Sequence, residues 1–289
     1  MARTDPLETP VPPRSLGWRT DLIFARFDGE VSARADHLVV RTPNNPTFWW
    51  GNFLLFDHAP RDGDAAAWCA RFDAEITAHQ PDSRHITFGV DCAAAFPLPD
   101  DFARAGFTLF SSTVLTMRRE QLRAPRAPAA GDYEIRALRL PAEAGAAVEL
   151  QVAADAGRTE APAEYRVFRQ RQMQRYAAMD GAGMGRWFAV LARGDDDSEQ
   201  MVADCGLFRE PGRPLGRFQH VVTHPLWRRR GLCSALIHAV CRHGFDRMGL
   251  DTLVIVADPD DVAIGLYEAL GFERGASTWH LEKAPPRRA

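Results

Sequence analysis

The residues best suited to chemistry lie in one segment, VVTHPLWRRRGLCSALIHAV at 221–240. A strand-like stretch ends at Pro225, three arginines follow at 228–230, and Gly231 precedes small residues that open an amphipathic helix. The first N–H groups of a helix have no acceptor within it, and the helix dipole makes that end positive. A phosphate binds there when the backbone comes close to it, which Gly231 and the small residues after it permit. The segment therefore predicts an anion site.

The order R-x-x-G-x-(small residue) after the strand end V-x-T-x-P resembles the acetyl-CoA-binding motif of the GNAT superfamily of N-acetyltransferases. The resemblance implies that the backbone of Val221, Val222 and Thr223 meets the pantetheine arm of acetyl-CoA. It also implies that the loop and the start of the next helix hold the pyrophosphate, through Arg228, Arg229, Arg230, Gly231, Leu232, Cys233 and Ser234. The family more often has Gly or Ala where Cys233 stands, and cysteine is still small.

A second family element is L-Y-E-x-x-G-F at 266–272. In GNAT proteins its tyrosine often lies beside the coenzyme sulfur and protonates the departing thiolate, so the resemblance makes Tyr267 the general acid. Helical spacing alone would place Tyr267 in the core with Ile264 and Leu270. Three aspartates occupy the region where the family often has an asparagine: Asp258, Asp260 and Asp261.

The general base that deprotonates the substrate amine is left open. In GNAT proteins it commonly projects from the strand before the loop, which here reads RFQHV at 217–221 and has no carboxylate. Alternation puts His220 on the face opposite Arg217 and Gln219. His220 has a suitable unperturbed pKa of about 6.5. Asp204 on the preceding predicted strand is a second candidate, and an ordered water is a third.

Landmarks that recur 165 residues apart indicate a duplication. Phe53 and Pro60 match Phe218 and Pro225, Gly106-Phe107 matches Gly271-Phe272, and Ser112-Thr113 matches Ser277-Thr278. The predicted strands and helices keep the same order in both copies.

The first copy has lost the residues that mark the second. Gly63-x-x-Ala66-x-Trp68 stands opposite the arginine loop, and Phe102 stands opposite Tyr267. Two aspartates, at 62 and 64, would repel a pyrophosphate. The first copy is therefore expected to be a degenerate GNAT-like domain that does not hold acetyl-CoA in the same manner.

The expected fold class is α/β, with two GNAT-like domains that each have a mixed, mostly antiparallel central sheet flanked by helices. The predicted parts are a flexible arm (1–18), the degenerate domain (19–125), a linker (126–130), the GNAT acetyltransferase domain (131–284) and a tail (285–289). Strands are predicted throughout 20–56, including LIFARF and FWW, so the first copy is expected to lack the paired helices predicted at 141–179. A helix is predicted to begin within the arginine run.

Composition and charge exclude other classes. The chain has 289 residues, 46% of them hydrophobic, which fits two domains and is too apolar for disorder throughout. A net charge of −3 gives no electrostatic reason to expect nucleic acid or a membrane surface as partner. No apolar run is long enough for a spanning helix or a secretory signal. Five cysteines without a C-x-x-C pair favour a reduced, cytoplasmic compartment and no structural zinc.

These features together predict an acyltransferase of the GNAT type. The expected reaction is acetyl-CoA-dependent transfer of acetyl to an amine of a small molecule or peptide, by direct attack in a ternary complex and without a metal. The alternative is a non-catalytic acyl-CoA-binding or sensing protein. The lack of a carboxylate at 217–221 favours that alternative, and the presence of Tyr267 argues against it. The acceptor and the oligomeric state are not determined by the sequence.

Overall fold

A computed structural model of the chain describes residues 13–155, 162–193 and 199–285. Contacts divide the chain into two compact units. The N-terminal unit comprises Met1–Ser112 with Ala276–Ala289, and the C-terminal unit comprises Thr113–Gly275. These units differ from the predicted domains 19–125 and 131–284, because each takes part of a strand from the other half of the sequence.

Helices and strands alternate along both halves of the chain. The first half contains α1 (Leu16–Asp28), β1 (Glu30–Ala33), β2 (His37–Arg41), β3 (Phe53–Phe56), α2 (Ala65–Phe72), β4 (Ile86–Val90), α3 (Asp100–Arg104) and β5 (Thr108–Arg118). The second half contains β6 (Tyr133–Ala137), α4 (Ala144–Ala154), α5 (Pro162–Gly181), β7 (Gly185–Arg193), β8 (Glu199–Arg209), β9 (Leu215–Thr223), α6 (Leu232–Asp246), β10 (Thr252–Ala257), α7 (Ala263–Leu270) and β11 (Glu273–Lys283). Within the described ranges, no helix combines the length and the apolar character needed to cross a membrane.

Each unit is built on a mixed, mostly antiparallel sheet, as predicted. In the N-terminal unit β1, β2 and β3 are antiparallel neighbours, β3 and β4 are parallel, and β4 pairs antiparallel with β11. In the C-terminal unit β6, β7, β8 and β9 form an antiparallel run, β9 and β10 are parallel, and β10 pairs antiparallel with β5. The last strand of the first half, β5, thus pairs with β10 of the second half. The last strand of the second half, β11, pairs with β4 of the first half.

The strand predicted at LIFARF is wrong, because these residues belong to α1. Ser15 caps the helix by accepting a hydrogen bond from the N–H of Gly17. Trp18, Leu22 and Ala25 then share one buried face at helical spacing, and that face outweighs the strand preference of the aromatic and β-branched residues. Residues 16–18, assigned above to the arm, begin this helix, whereas 1–12 lie outside the described residues. The predicted strand also fails at Trp49–Gly51, which form a 3₁₀ turn.

The 165-residue repeat is visible in the elements themselves. Strands β5 and β11 each have 11 residues, and both their ends are 165 residues apart. Helix α3 at the same offset falls inside α7, and β3 falls inside β9. Both copies place a glycine with positive φ before the last strand, Gly106 at 87° and Gly271 at 109°. The duplication predicted from scattered landmarks therefore extends to the structure.

The core of the C-terminal unit lies between its sheet and α6. Leu236, Ile237 and Val240 form the fully buried face of this helix, packed in one cluster with Leu207 and Leu253 of the sheet. Burying one such side chain stabilises a fold by roughly 1.5–3 kcal/mol. The packing fixes the direction of α6, and residues 224–231 join its first turn to the end of β9.

The glycine pair supports a matched test of stability. A left-handed backbone costs a non-glycine residue about 1–2 kcal/mol, and this is the expected loss for Gly106→Ala, since no atom lies within 4 Å of its added Cβ. Gly271→Ala is expected to cost about 3 kcal/mol or more, because its Cβ would overlap the carbonyl oxygen of Gln121. Urea unfolding of the two variants measures the difference. Equal losses of unfolding free energy in the two variants would show that the overlap with Gln121 does not destabilise Gly271→Ala.

Candidate functional site

A bulge in β9 opens the sheet beside the predicted site. Asp204 on β8 pairs with Val222, but Gly206 pairs with Gln219, so β9 holds one residue more than β8 between these pairs. The backbone of His220 lies in the left-handed region, at φ 49°. Pairing of β9 with β10 covers Leu215–Arg217 and ends there. The rest of β9 leaves its neighbour, and its backbone faces a cleft.

A cavity of about 780 Å³ occupies this cleft. Helices α4 and α5 contribute Gln151, Ala154, Asp155, Tyr165 and Arg169. The end of β9 and the following loop contribute His220, Val221, Val222, Thr223, Trp227, Arg228, Arg229 and Gly231. The starts of α6 and α7 contribute Leu232, Cys233, Ser234, Asp261, Val262, Ala263, Leu266 and Tyr267. Of the predicted site residues, all but Arg230 and Asp204 therefore line one cavity.

The arginine run forms a loop, and the helix begins after it, at Leu232, not within the run as predicted. Arg229 has a positive φ of 63°, and Arg228 donates from Nε to the carbonyl of Thr223 at 3.3 Å. Arg230 turns away and stacks over the Trp227 ring at 4.5 Å. The first N–H of α6 bonded back into the helix is that of Ala235. The N–H groups before it provide the positive helix end on which the anion prediction depends.

The structure gives Gly231 a reason in addition to the one predicted. Its φ is 77°, which favours glycine, and a Cβ there would lie 3.1 Å from the Cα of Ala129. The backbone of Ala130 donates to the carbonyl of Arg230 beside it, at 2.9 Å. The absent Cβ thus makes room for the linker at 128–130, and the openness of the cavity depends on Cys233 and Ser234.

Tyr267 combines the two roles that the sequence offered. Its side chain packs in the core with Ile264 and Leu270 and is only 4% exposed, yet it also lines the cavity. Burial, with the nearby groups of Cys233 and Asp261, raises its pKa well above the usual value. The phenol therefore keeps its proton at neutral pH.

The two predicted bases occupy different environments. His220 lines the cavity, at the point where the bulge interrupts the regular alternation of β9. Burial and the positive charge of Arg169 lower the pKa of His220 well below its usual value, so its ring is neutral.

Asp204 is fully buried and lies outside the cavity lining. Its Oδ2 accepts hydrogen bonds from Gln151 Nε2 at 2.9 Å and Trp187 Nε1 at 3.0 Å. Burial raises its pKa to about 7, although both hydrogen bonds act in the opposite direction. Asp204 therefore holds Gln151, which is the residue that reaches the cavity.

Two cavity residues on α5 were not singled out from the sequence. Arg169 lies one helical turn after Tyr165 and donates from Nε to its hydroxyl oxygen at 2.8 Å. The guanidinium also lies over the Tyr165 and Phe168 rings, at 4.9 and 5.0 Å. The i, i+4 spacing of a tyrosine and an arginine was available as a signal, but α5 carries four arginines and nothing in the pattern separates this one.

Comparison with known proteins identifies the second half of the chain. Residues 154–272 match the family model of the acetyltransferase (GNAT) family. This part of the chain is a GNAT domain. The match spans the helix α5, the bulged strand, the loop and α7, which are the elements that surround the cavity. A search of curated proteins finds no match.

Solved structures show the same fold over nearly the whole chain. A conserved protein of unknown function from Staphylococcus epidermidis has a TM-score of 0.67 at 14% identity, over 89% of this chain and 94% of its own. A GCN5-related N-acetyltransferase from Kribbella flavida has a TM-score of 0.59 at 18% identity, over 95% and 98%. A tandem GNAT protein from the clavulanic acid biosynthesis pathway has a TM-score of 0.54 at 18% identity, over 96% and 91%. Such identities establish the fold alone, and the fold is that of two GNAT-like domains.

The first GNAT-like copy lacks the opening that the bulge gives the second. Leu54–Phe56 of β3 remain paired with Phe88–Val90 of β4, at the level where β9 has already left β10. The indole of Trp68 stacks on the Phe56 ring with centroids 3.5 Å apart and fills the space beside the strand.

A carboxylate of the chain itself takes the place of an anion in the first copy. Oδ2 of Asp101 accepts hydrogen bonds from the backbone N–H groups of Gly63, at 2.9 Å, and Ala65, at 2.8 Å. Desolvation is the largest single influence and raises the pKa of Asp101, but the hydrogen bonds together hold that pKa below its usual value. The N–H groups of this loop thus donate to a side chain of the chain itself, in the place where the second copy is predicted to bind an anion.

The ionisation of Asp204 predicts a pH-dependent stability. Its pKa is about 7 in the fold and about 4 when unfolded, so the folded chain binds more protons between these values. Stability should therefore fall by roughly 4 kcal/mol as the pH rises from 4 to 7. Asp204→Asn keeps the accepted hydrogen bonds and cannot ionise, so this loss should be absent in the variant.

Urea unfolding of both proteins across that range measures the effect. His85 and His220, whose pKa values burial lowers, change stability in the opposite direction. They do so equally in both proteins, so the difference isolates Asp204. Parallel pH profiles would contradict the raised pKa.

Proposed function

We propose that the protein is an acetyl-CoA-dependent N-acetyltransferase that acts on an amine of a small molecule or peptide by direct attack in a ternary complex. The observation that carries the proposal is the parting of β9 from β10 beside a cavity that runs from the start of α6 to Tyr267. One end of this cavity offers donors to an anion, and the other offers a proton to a leaving group.

The coenzyme is assigned to the β9 side of the cavity. The exposed backbone of Val221–Thr223 can pair with the amides of the pantetheine arm, as an added strand would. The free N–H groups at 232–234 and the side chains of Arg228 and Arg229 would then hold the pyrophosphate. Arg230 is assigned to the wall of this loop through its stacking on Trp227.

The transfer step uses the proton of Tyr267. The amine nitrogen attacks the thioester carbon, a C–N bond forms, and the carbonyl oxygen carries negative charge until the C–S bond breaks. The sulfur leaves as a thiolate unless it takes a proton, and the un-ionised phenol of Tyr267 supplies one. The proton lost by the amine returns the tyrosine to its starting state through solvent.

His220 fits the removal of the amine proton better than Asp204 does. It lines the cavity with a neutral ring, whereas Asp204 is separated from the cavity by Gln151. The lowered pKa makes His220 a weak base. In this assignment an ordered water between His220 and the amine carries the proton from one to the other. Asp204 then acts as a positioning residue for Gln151.

The chain is assigned to the cytoplasm, where thiols stay reduced. All five cysteines lie in the described residues and are free. Burial raises the pKa of Cys233 to about 11, so this thiol lines the cavity as a small neutral side chain and not as a nucleophile.

Coenzyme binding can be tested by copying the first domain into the second. Cys233→Trp introduces the indole that stands 165 residues earlier at Trp68, and it should abolish acetyl-CoA binding because the ring fills the cavity. Titration calorimetry on the wild type should give one acetyl-CoA per chain. Arg242→Trp, on an exposed part of the same helix, is the control and should bind normally.

Two outcomes would contradict these assignments. Unchanged affinity in Cys233→Trp would remove the coenzyme from this cavity. A stoichiometry of two per chain would show that the first copy binds acetyl-CoA despite its paired strands.

Catalysis can be tested at Tyr267. Tyr267→Phe should lower kcat by about 10²–10⁴, the usual worth of a positioned acid, and leave acetyl-CoA affinity unchanged. Thiol release from acetyl-CoA over a panel of amines and peptides measures the rate. Tyr133→Phe, at a tyrosine outside the cavity, is the control. Binding of acetyl-CoA by the wild type without turnover of any amine would contradict the enzyme assignment and support a sensing protein.

A further inference from the structure

One wall of the cavity carries a cation that forms no ion pair with any described residue. Arg169 is half-buried and lines the cavity from α5. Its described polar contact is the hydrogen bond from Nε to the Tyr165 hydroxyl, and its other neighbours are two aromatic rings. Within the described residues it has no carboxylate at ion-pairing distance. The two Nη groups thus remain available as a planar pair of donors.

Several other arginines in this unit are paired with carboxylates. Arg166 on the same helix pairs with Glu149, and Arg136 and Arg139 both pair with Glu143. Those guanidinium groups are neutralised at the surface. Arg169 is instead held between neutral rings and keeps its full charge, which is strong enough to help lower the pKa of the buried His220.

A guanidinium fixed in this way matches a carboxylate. Its Nη donors fit the two oxygens of one carboxylate in a bidentate pair, and a half-buried position strengthens the bond. A doubly charged phosphate would require a second cation. The other positively charged side chains among the described lining residues are Arg228 and Arg229, in the loop before α6 that is assigned to the pyrophosphate.

The same wall also offers a negative charge. Asp155 lines the cavity and, like Arg169, acts on the pKa of Tyr165. An amine reaches the site mainly as an ammonium, which Asp155 attracts. The wall is therefore complementary to a molecule that carries both an ammonium and a carboxylate.

We propose that the acetyl acceptor is a small amine with a single carboxylate, such as a free amino acid, and that Arg169 binds this carboxylate. The inference rests on the proposed acetyl transfer and names its substrate class. Arg169 is a binding residue in this assignment. It fixes the acceptor by the group that does not react and leaves the amine free to meet the thioester.

The experiment compares amino acids with their methyl esters and their decarboxylated amines. The ester keeps nearly the same shape and removes the charge, so the wild type should prefer the acid by about ten-fold or more in kcat/KM. Arg169→Met should reduce that ratio to about one, mainly by raising KM for the acid. Arg169→Lys keeps the positive charge but lacks the paired Nη donors, so it should retain part of the preference for the acid over the ester.

Arg166→Met is the matched control, because it removes an arginine from the same helix outside the cavity. It should keep the wild-type preference. Thermal unfolding of each variant shows whether it is folded. Binding of acid and ester to the CoA-saturated protein, measured by calorimetry, gives a second reading that does not depend on turnover.

The outcomes separate this inference from the proposed function. Equal turnover of acids, esters and decarboxylated amines would overturn the carboxylate site and leave acetyl transfer standing. A preference that survives in Arg169→Met would overturn it too. If acetyl-CoA binds and no amine is turned over, acetyl transfer falls, and the calorimetric comparison still decides whether Arg169 holds a carboxylate.

Discussion

The bulge in β9 is the constraint on which the site depends. One additional residue between the pairs with Asp204 and Gly206 forces His220 into a left-handed backbone and ends the pairing with β10 after Arg217. A strand with an unpaired edge inside a domain is normally costly, because its N–H and C=O groups have no partner. In this chain the unpaired edge is the end of β9, and it lies beside the cavity, where a ligand could pair with it. The strain and the opening are two consequences of the same inserted residue.

The two copies show what happens to this design when the bulge is absent. β3 and β4 stay paired through Phe56 and Val90, so the sheet has no opening and a large ring, Trp68, fills the position of a small one. The donors of the loop still need an acceptor, and Asp101 supplies it from α3. An exposed carboxylate thus performs locally what a bound anion would perform in the second copy. In the first copy, the closed pairing of β3 with β4 and the internal acceptor for the loop donors thus occur together.

Features with a local sequence cause could be predicted. The two motifs contain most of the residues that line the C-terminal cavity, and the 165-residue offset predicted the matching elements, because turns, helix starts and small residues have strict local requirements. The helix α1 was missed because its aromatic residues also suit a strand and only the buried face formed with the sheet decides. The bulge at His220 was not predicted, because alternation assumes regular pairing along a strand. The close contact of Gly231 with Ala129 could not be predicted, because tertiary structure brings Ala129 there.

The exchange of strands follows from the same duplication. Because of it, no single position in the sequence separates the two compact units. Residues 113–118 of β5 complete the sheet of the C-terminal unit by pairing with β10, and residues 276–283 of β11 complete the other sheet by pairing with β4. Because β5 and β11 are the repeat of one strand, either is suited to either position. The predicted linker at 126–130 separates the two copies in sequence, yet neither side of it contains all the strands of one unit. The first copy therefore has a structural role in the second, because residues 113–118 of its last strand pair with β10 in the sheet that carries the cavity.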